Sequence, residues 1–327
     1  MRICIIGSSG HINYVIEGVK KDKECKIIGV APGSKEEKID KVLNMIDNKE
    51  EVQIFDNYIE MLDKLHPDIA VSACHFGNLA KVNMEALKRG INVFSEKPVA
   101  TTFEDLEKLK EIYKSSKRHF CAMFGIRYKP WFLTAWKRVK EGAVGEVRLI
   151  NTQKSYKLGK RDEFYKKRES FGGTIPWVGI HAIDWIYWFT GKKFKSVYAV
   201  HSKKYNKDHG DLETTALCQF TLEDEVFASL SIDYLRPESA LSHDDDRLRI
   251  VGTEGVIEVI WNKVFLINKE YGGEELPLLP EGNIFLDFIK EIRGEGKCMI
   301  SAEDSFYITE IALWARQSAD EGKIIYL

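Results

Sequence analysis

Two groups of residues in this chain are of types that hold and move protons. The first is Glu96-Lys97-Pro98, at the end of the apolar run Asn92-Val93-Phe94-Ser95. A lysine in a partly dry cleft loses affinity for its proton, falling from a pKa of about 10.4 toward neutrality. It can then act as an acid, a base or a hydrogen-bond donor to a reacting oxygen. Pro98 fixes φ and disfavours a helical Lys97, so the backbone carrying the lysine is stiff. The second group lies in Gly172-Gly173-Thr174-Ile175-Pro176-Trp177-Val178-Gly179-Ile180-His181-Ala182-Ile183-Asp184. Trp177, His181, Asp184 and Trp185 keep i, i+4 and i+3 spacing, which places His181 and Asp184 on one face of a helix. A carboxylate beside an imidazole fixes its tautomer or raises its pKa from about 6.5. Each group also has a plainer use, as a solvated charged turn or as a core histidine satisfied by an aspartate.

The elements around these residues must position them. The helical pattern Ala80–Leu87 stops at Gly90, and a short β-rich run follows. That is the rhythm of an α/β unit with a parallel sheet. Ligands of such sheets bind at the carboxyl ends of the strands, where Lys97 falls. The first strand, Arg2-Ile3-Cys4-Ile5-Ile6, runs into Gly7-Ser8-Ser9-Gly10-His11-Ile12. A glycine turn from a first strand into a helix turns backbone N–H groups toward a pyrophosphate. Only the first glycine of G-x-G-x-x-G is kept. Ser9 and Ile12 occupy the second and third glycine positions, and Gly10 stands off the pattern. Ser9 could offer an N–H and a hydroxyl, and Ile12 holds the helix farther from the strand. A plain strand-to-helix turn is the alternative. After the second strand, Lys26–Val30, the chain reads Ala31-Pro32-Gly33-Ser34-Lys35, with no carboxylate before Glu36. A ribose 2′-hydroxyl is ordinarily held by an acid there. Ser34 and Lys35 suit a 2′-phosphate instead, which leans the choice between NAD and NADP toward NADP. Ser34 could equally cap the following helix.

Together with Arg127-Tyr128-x-Pro130, Gly142-x-x-Gly145-Glu146-Val147 and Leu248–Gly255, these stretches resemble the Gfo/Idh/MocA family of NAD(P)-dependent oxidoreductases over nearly the whole chain. The resemblance implies an α/β plus α+β fold. An N-terminal Rossmann domain, 1–123, would bind the dinucleotide. A C-terminal α+β domain, 124–327, would carry a large open antiparallel sheet and closing helices within 284–320. The substrate cleft would lie between them. The resemblance also implies that Lys97 approaches nicotinamide and substrate, with Glu96 beside it, and that His181 is the acid/base. It places Cys74 and His75 near the nicotinamide half, and Arg127, Tyr156, Trp177 and Asp184 with the substrate. The implied substrate is a sugar or polyol, and the implied assembly a homodimer or homotetramer. The chain departs from the family in its glycine loop, in the missing ribose acid and at Trp177, where many members have Asp. A tryptophan there could stack on a sugar ring and donate one N–H. These departures leave room for two other outcomes: cofactor-assisted glycoside chemistry through a keto intermediate, or a catalytically silent nucleotide-binding regulator.

A length of 327 residues suits two domains, and a composition 44% hydrophobic and 30% charged is that of a globular protein. The net charge of −2 gives no broad footprint for nucleic acid. Basic runs at Lys160-Arg161 and Lys166-Lys167-Arg168 are either solvated faces or a grip on an acidic sugar or the cofactor phosphates. None of the six cysteines shares a Cys-x-x-Cys spacing, so no metal site is expected. No apolar stretch reaches transmembrane length. The chain opens directly on a core strand, with no room for a leader, and a reducing cytoplasm is the expected setting. Strands and helices alternate to about residue 123. From Val147 onward strand follows strand, at 147–156, 195–201, 214–221, 225–234, 247–252, 256–260 and 264–268. In the run 226–232 the apolar residues alternate, as in a strand with one buried face.

Overall fold

The computed structural model describes residues 1–327, which form two compact units. The first comprises Met1–Gly125, Glu169–Gly172 and Asn283–Glu310, and the second Ile126–Arg168, Gly173–Gly282 and Ile311–Leu327.

In the first unit, six strands form one parallel sheet: β1 (Arg2–Gly7), β2 (Lys26–Ala31), β3 (Gln53–Ile54), β4 (Ile69–Ala73), β5 (Asn92–Ser95) and β6 (Phe120–Ala122). Their order is β3-β2-β1-β4-β5-β6. The direction of winding therefore reverses between β1 and β4, and dinucleotides bind at such a reversal. The strands β4 and β5 are buried throughout. This is why they read as unbroken apolar runs rather than alternating ones. Helices α1 (Asn13–Lys21), α2 (Asp40–Met45), α3 (Tyr58–Leu65), α4 (Phe76–Lys88) and α5 (Phe103–Ser116) connect them.

The second unit holds helices α6 (Pro130–Lys140) and α8 (Ile180–Thr190); the four-residue α7 (Arg168–Phe171) spans the boundary between the units. Its sheet contains β7 (Val147–Tyr156), β8 (Phe194–Ser202), β9 (Thr215–Leu222), β10 (Phe227–Asp233), β11 (Asp244–Gly252), β12 (Gly255–Ile260), β13 (Lys263–Asn268), β14 (Gly272–Glu275) and β15 (Ile325–Tyr326). The order is β14-β13-β12-β11-β7-β10-β9-β8-β15. All pairings are antiparallel except β7 with β10 at the centre, so the large antiparallel sheet carries one parallel pair. On β10, Ala228, Leu230 and Ile232 are buried while Phe227 is exposed, which is the expected alternation. No helix is long and apolar enough to cross a membrane.

Of the closing stretch 284–320 that the sequence grouped with the second domain, α9 (Ile284–Arg293) and the first part of α10 (Ala302–Glu321), to Glu310, fall in the first unit, and the rest of α10 in the second. Residues Asn283–Glu310 pack with the first unit for definite physical reasons. Phe285 and Phe288 of α9 lie against Phe94 of β5, with ring centroids 5.0 and 5.5 Å apart. Ser305 Oγ of α10 accepts the N–H of Ala122 on the open edge of β6 at 2.9 Å.

The turn after β1 requires a bare Cα. Gly7 has φ +88°, and a Cβ there would collide with the Ala73 carbonyl oxygen and the Cys74 amide nitrogen. Gly142 has a similar φ of +86° but nothing within 4 Å. Gly142→Ala should therefore cost only backbone strain, about 1–2 kcal/mol. Gly7→Ala should cost roughly 2–4 kcal/mol, because strain and collision add. Urea unfolding of the two variants beside the parent measures the difference. Equal losses would mean that the close approach at Gly7 is not what demands glycine.

Candidate functional site

In the first unit, the carboxyl ends of β1, β4 and β5 bring together three of the segments singled out in the sequence. Glu96, fully buried, ties two of them. Its Oε1 accepts the His11 backbone N–H and lies 2.7 Å from His11 Nδ1, and its Oε2 accepts the Lys97 N–H at 2.9 Å. Burial pushes this carboxyl up, but the His11 charge and hydrogen bonds, with help from Lys97, outweigh it and hold the pKa at about 2. A Cβ on Gly10 would strike the Glu96 carboxylate. The glycine that stood off the nucleotide pattern is thus explained by Glu96. Lys97 is 2% exposed, and the Lys97–Pro98 bond is cis. Behind it runs a buried polar string. Ser72 Oγ donates to Asn83 Oδ1 at 2.6 Å, Asn83 Nδ2 to Ser95 Oγ at 2.8 Å, and Ser95 Oγ to the Glu96 carbonyl at 2.8 Å. Asn83 was invisible in the sequence because it sits inside an ordinary helical pattern.

Several expected cofactor contacts change. The Ser9 N–H is already donated to the Ala73 carbonyl at 2.6 Å, so it is not available to a phosphate. Ser8 Oγ donates to the Lys38 carbonyl at 2.6 Å. Ile12 is fully buried and precedes α1 without capping it, so no side chain occupies that helix N-terminus. Ser34 does not cap α2, which begins six residues later at Asp40; its carbonyl accepts the Glu37 N–H instead. Lys35 is exposed. Cys74 is fully buried beneath Gly33, and burial raises its thiol well above the usual range, so its side chain is packing. The sequence reading also missed Glu37. Its side chain folds back to the end of β2 and accepts the Gly33 N–H at 2.8 Å. Its Oε1 is buried without a hydrogen-bond partner, 4.0 Å from His75 Nε2. Burial lifts its carboxyl to about 7, against the pull of backbone donors at Gly33, His75 and Ser34. The residues of this edge fit a dinucleotide: a bare Cα at Gly7, an uncapped helix start and a carboxylate oxygen with open acceptor capacity.

In the second unit, His181 is 3% exposed and lies in the first turn of α8. The preceding turn, Ile175–Gly179, is π-helical, so Trp177 precedes His181 across a turn wider than the α-helix its spacing suggested. Gly179 packs on the sheet: a Cβ there would stand 2.6 Å from Ile232 Cδ1. Asp184, expected beside His181 or a substrate, is engaged by Arg127, whose Nη2 lies 2.5 Å from Oδ1 and Nε 3.1 Å from Oδ2. Both residues are at most 2% exposed, and Arg127 also lies 5.5 Å from the Trp188 ring. The two expected substrate contacts thus form a buried ion pair that fastens Arg127 to α8. Trp177 is stacked with Tyr234 at 6.1 Å and has the Arg161 guanidinium 5.3 Å from its ring. Tyr156 is half-buried, 5.9 Å from Tyr234 and 5.2 Å from Lys154 Nζ. Lys154, also unnoticed in the sequence, is fully buried and donates to Asp246 Oδ2 at 2.6 Å. All six cysteines are thiols, and no group of metal-binding side chains is present.

Comparison with known proteins matches the two units to one family. The model described as an oxidoreductase family with an NAD-binding Rossmann fold covers residues 1–124, and a GFO/IDH/MocA C-terminal domain covers 132–258. A solved structure described as an oxidoreductase from Thermotoga maritima is 59% identical, covers 100% of both chains and superposes with a TM-score of 0.97. YteT of Bacillus subtilis, also described as an oxidoreductase, is 23% identical over 46% of this chain and 36% of its own length. The inositol 2-dehydrogenase/D-chiro-inositol 3-dehydrogenase of Lactiplantibacillus plantarum is 22% identical over 79% of this chain and 69% of its own. The first of these curated relatives is therefore spanned over only about a third of its length.

The two buried carboxylates of the first unit should respond to pH with opposite sign. Glu37 has a folded pKa of about 7, above its ordinary 4.5, so the folded chain keeps a proton that the unfolded chain releases. Stability is lost as pH rises between those values. Glu37→Gln keeps an acceptor for Gly33 and should gain on the order of 1–3 kcal/mol at pH 8, and little at pH 4.5. Glu96, held at about 2, contributes stability that is present above about pH 4.5 and lost as pH falls toward 2. Glu96→Gln should lose roughly 2–4 kcal/mol at pH 8. Denaturant melts of both variants at the two pH values check this, and the same sign in both would refute it.

Proposed function

The chain belongs to the GFO/IDH/MocA family of oxidoreductases, and from that premise we propose that it moves a hydride between nicotinamide and a secondary alcohol carbon of a sugar, polyol or related small molecule. The observation that carries this reading is Lys97, buried at the carboxyl end of β5 and tied through Glu96 to the glycine loop. When bound, the nicotinamide supplies the hydride acceptor or donor. In the oxidising direction His181 takes the hydroxyl proton, and Lys97 serves as a hydrogen-bond donor to a reacting oxygen. In the reducing direction His181 returns that proton. Asp184 and Arg127 act as positioning residues, because their charged groups are spent on each other.

The cofactor in this reading is NAD, which reverses the leaning drawn from Ser34 and Lys35. Glu37 puts a carboxylate at the end of β2 after all. Its open oxygen suits a ribose hydroxyl donor and opposes a 2′-phosphate. The reading includes a second copy of the chain seated on the outer face of the second sheet, and exposed apolar residues there support it. Leu149 lies opposite Phe227, and Val200 opposite Leu217, all four exposed on neighbouring strands.

Three measurements check this reading. NADH should quench tryptophan emission saturably and bind at least tenfold tighter than NADPH, and Glu37→Gln should narrow that ratio. Lys97→Met and His181→Asn should each lower turnover by about 10²-fold or more while NADH still binds. Unchanged turnover in both variants would sink the assignment. In sedimentation velocity the parent should run as an oligomer and Phe227→Glu should shift toward the monomer; a monomeric parent rejects the proposed interface.

A further inference from the structure

The loop after β7 carries a cation with no counter-charge. Arg161 is half-exposed, and no carboxylate lies within ion-pair distance of it. Its Nε and Nη2 donate to the carbonyls of Leu158 and Lys157 at 2.9 and 3.1 Å, which leaves Nη1 free. Three aromatic rings cage its guanidinium, at 5.0 Å for Tyr234, 5.3 Å for Trp177 and 5.9 Å for Tyr165. A cage of this kind holds a cation in place without neutralising it. The carboxylates nearby are committed elsewhere. Asp246 pairs with Lys154, and Glu213 with Arg168. Lys157 adds a second cation, held by the carbonyls of Glu238 and Ala240 at 2.7 and 2.6 Å.

Three buried polar atoms of the second unit have no hydrogen-bond partner: Tyr234 OH, Trp185 Nε1 and Asp246 Oδ1. Such atoms are rare in folded chains, and each calls for an explanation. They are linked through a continuous set of contacts. Tyr234 touches Tyr156, Lys154 Nζ stands 5.2 Å from the Tyr156 ring and 4.9 Å from the Trp185 ring, and Asp246 is bonded to Lys154. Trp177 and Trp185 stand four residues before and four after His181. This string of contacts therefore links a hydroxyl, an indole donor and a carboxylate acceptor to an unneutralised guanidinium. That is a donor and acceptor set for a polyhydroxylated molecule bearing one negative group.

We infer that the substrate is an acidic sugar or polyol derivative, with its carboxylate or phosphate held by Arg161 and its hydroxyls by Tyr234, Trp185 and Asp246. This rests on the dehydrogenase reading above and narrows its substrate class. Arg161 is then the residue that sets specificity, since a guanidinium fork matches either anion.

The test uses the full chain saturated with NADH, with calorimetric titration of matched probes: D-glucose against D-glucuronate and D-glucose 6-phosphate, and D-galactose against D-galacturonate. At least one acidic probe should bind ten times more tightly than its neutral match, the size expected of one charge-assisted hydrogen bond. The uronate and phosphate arms tell which anion is preferred. In Arg161→Gln the preference should fall to within about twofold, and Arg161→Lys should restore part of it. Neutral probes that bind as well as their acids would overturn the inference in the parent protein alone. So would a preference that survives in Arg161→Gln, or no binding of any probe to NADH-loaded protein. NADH binding in the same samples keeps the broader reading separate: its loss would sink the dehydrogenase assignment, whereas binding without acid preference sinks only this inference.

Discussion

The candidate cofactor edge depends on one buried carboxylate. Glu96 has no access to solvent, so its charge must be met by protein donors or the carboxyl would take up a proton. The donors come from two places that are far apart in sequence and adjacent in the sheet: the His11 backbone and ring in the loop after β1, and the Lys97 amide after β5. Satisfying one carboxylate therefore sets the relation between the cofactor loop and the lysine. It also dictates the sequence of the loop, because Gly10 must be bare to let the carboxylate in. A loop whose third residue is serine rather than glycine can still hold its shape, because Glu96 and the bond from Ser9 to Ala73 do the holding.

The second unit uses the same device with different partners. Arg127 and Asp184 neutralise each other inside the fold, as do Lys154 and Asp246. Such pairs add little net stability over apolar packing, but they make wrong arrangements costly, since a buried charge without its partner is penalised heavily. Arg127 belongs to the segment that enters the unit and Asp184 to the helix that carries His181. The pair therefore fixes where the histidine's helix begins relative to the incoming chain. Glu213 plays a similar part after the double glycine, accepting the Thr174 N–H at 2.9 Å while its carbonyl accepts the Thr174 hydroxyl at 2.7 Å.

What was legible in the sequence was whatever leaves a periodic or positional trace. The span Val147–Tyr156 and the helix Tyr58–Leu65 coincide with expectation because their apolar residues keep the period of their element. Lys97 and His181 were legible because a proline and paired glycines flag their positions. Glu37 was not, since it reaches the end of β2 by folding back over a loop, and the acid expected there was sought directly after the strand, in residues 31–35. Lys154 sits on the buried side of a strand with nothing in its neighbours to mark it, and its partner Asp246 lies in another strand. The edge strands Gly272–Glu275 and Ile325–Tyr326 carry no alternation to read. The allegiance of Asn283–Glu310 to the first unit is decided by packing against Phe94 and Ala122, contacts between residues almost two hundred positions apart.

Trp177 shows how one departure can be absorbed by its surroundings. Where many relatives have an aspartate, this chain has an indole that is nearly buried and bears no charge. An aspartate there would bring a carboxylate to the guanidinium of Arg161 and cancel it. The tryptophan instead contributes one wall of the cage that holds Arg161 while leaving its charge available. The change therefore removes a negative group from the wall beside His181 and, through Arg161, leaves that wall positive. The proposed roles of His181 and Lys97 do not require an acid at 177, since each side chain is a donor or acceptor by itself. The substitution thus alters the charge the wall presents to a ligand more than the chemistry available to it.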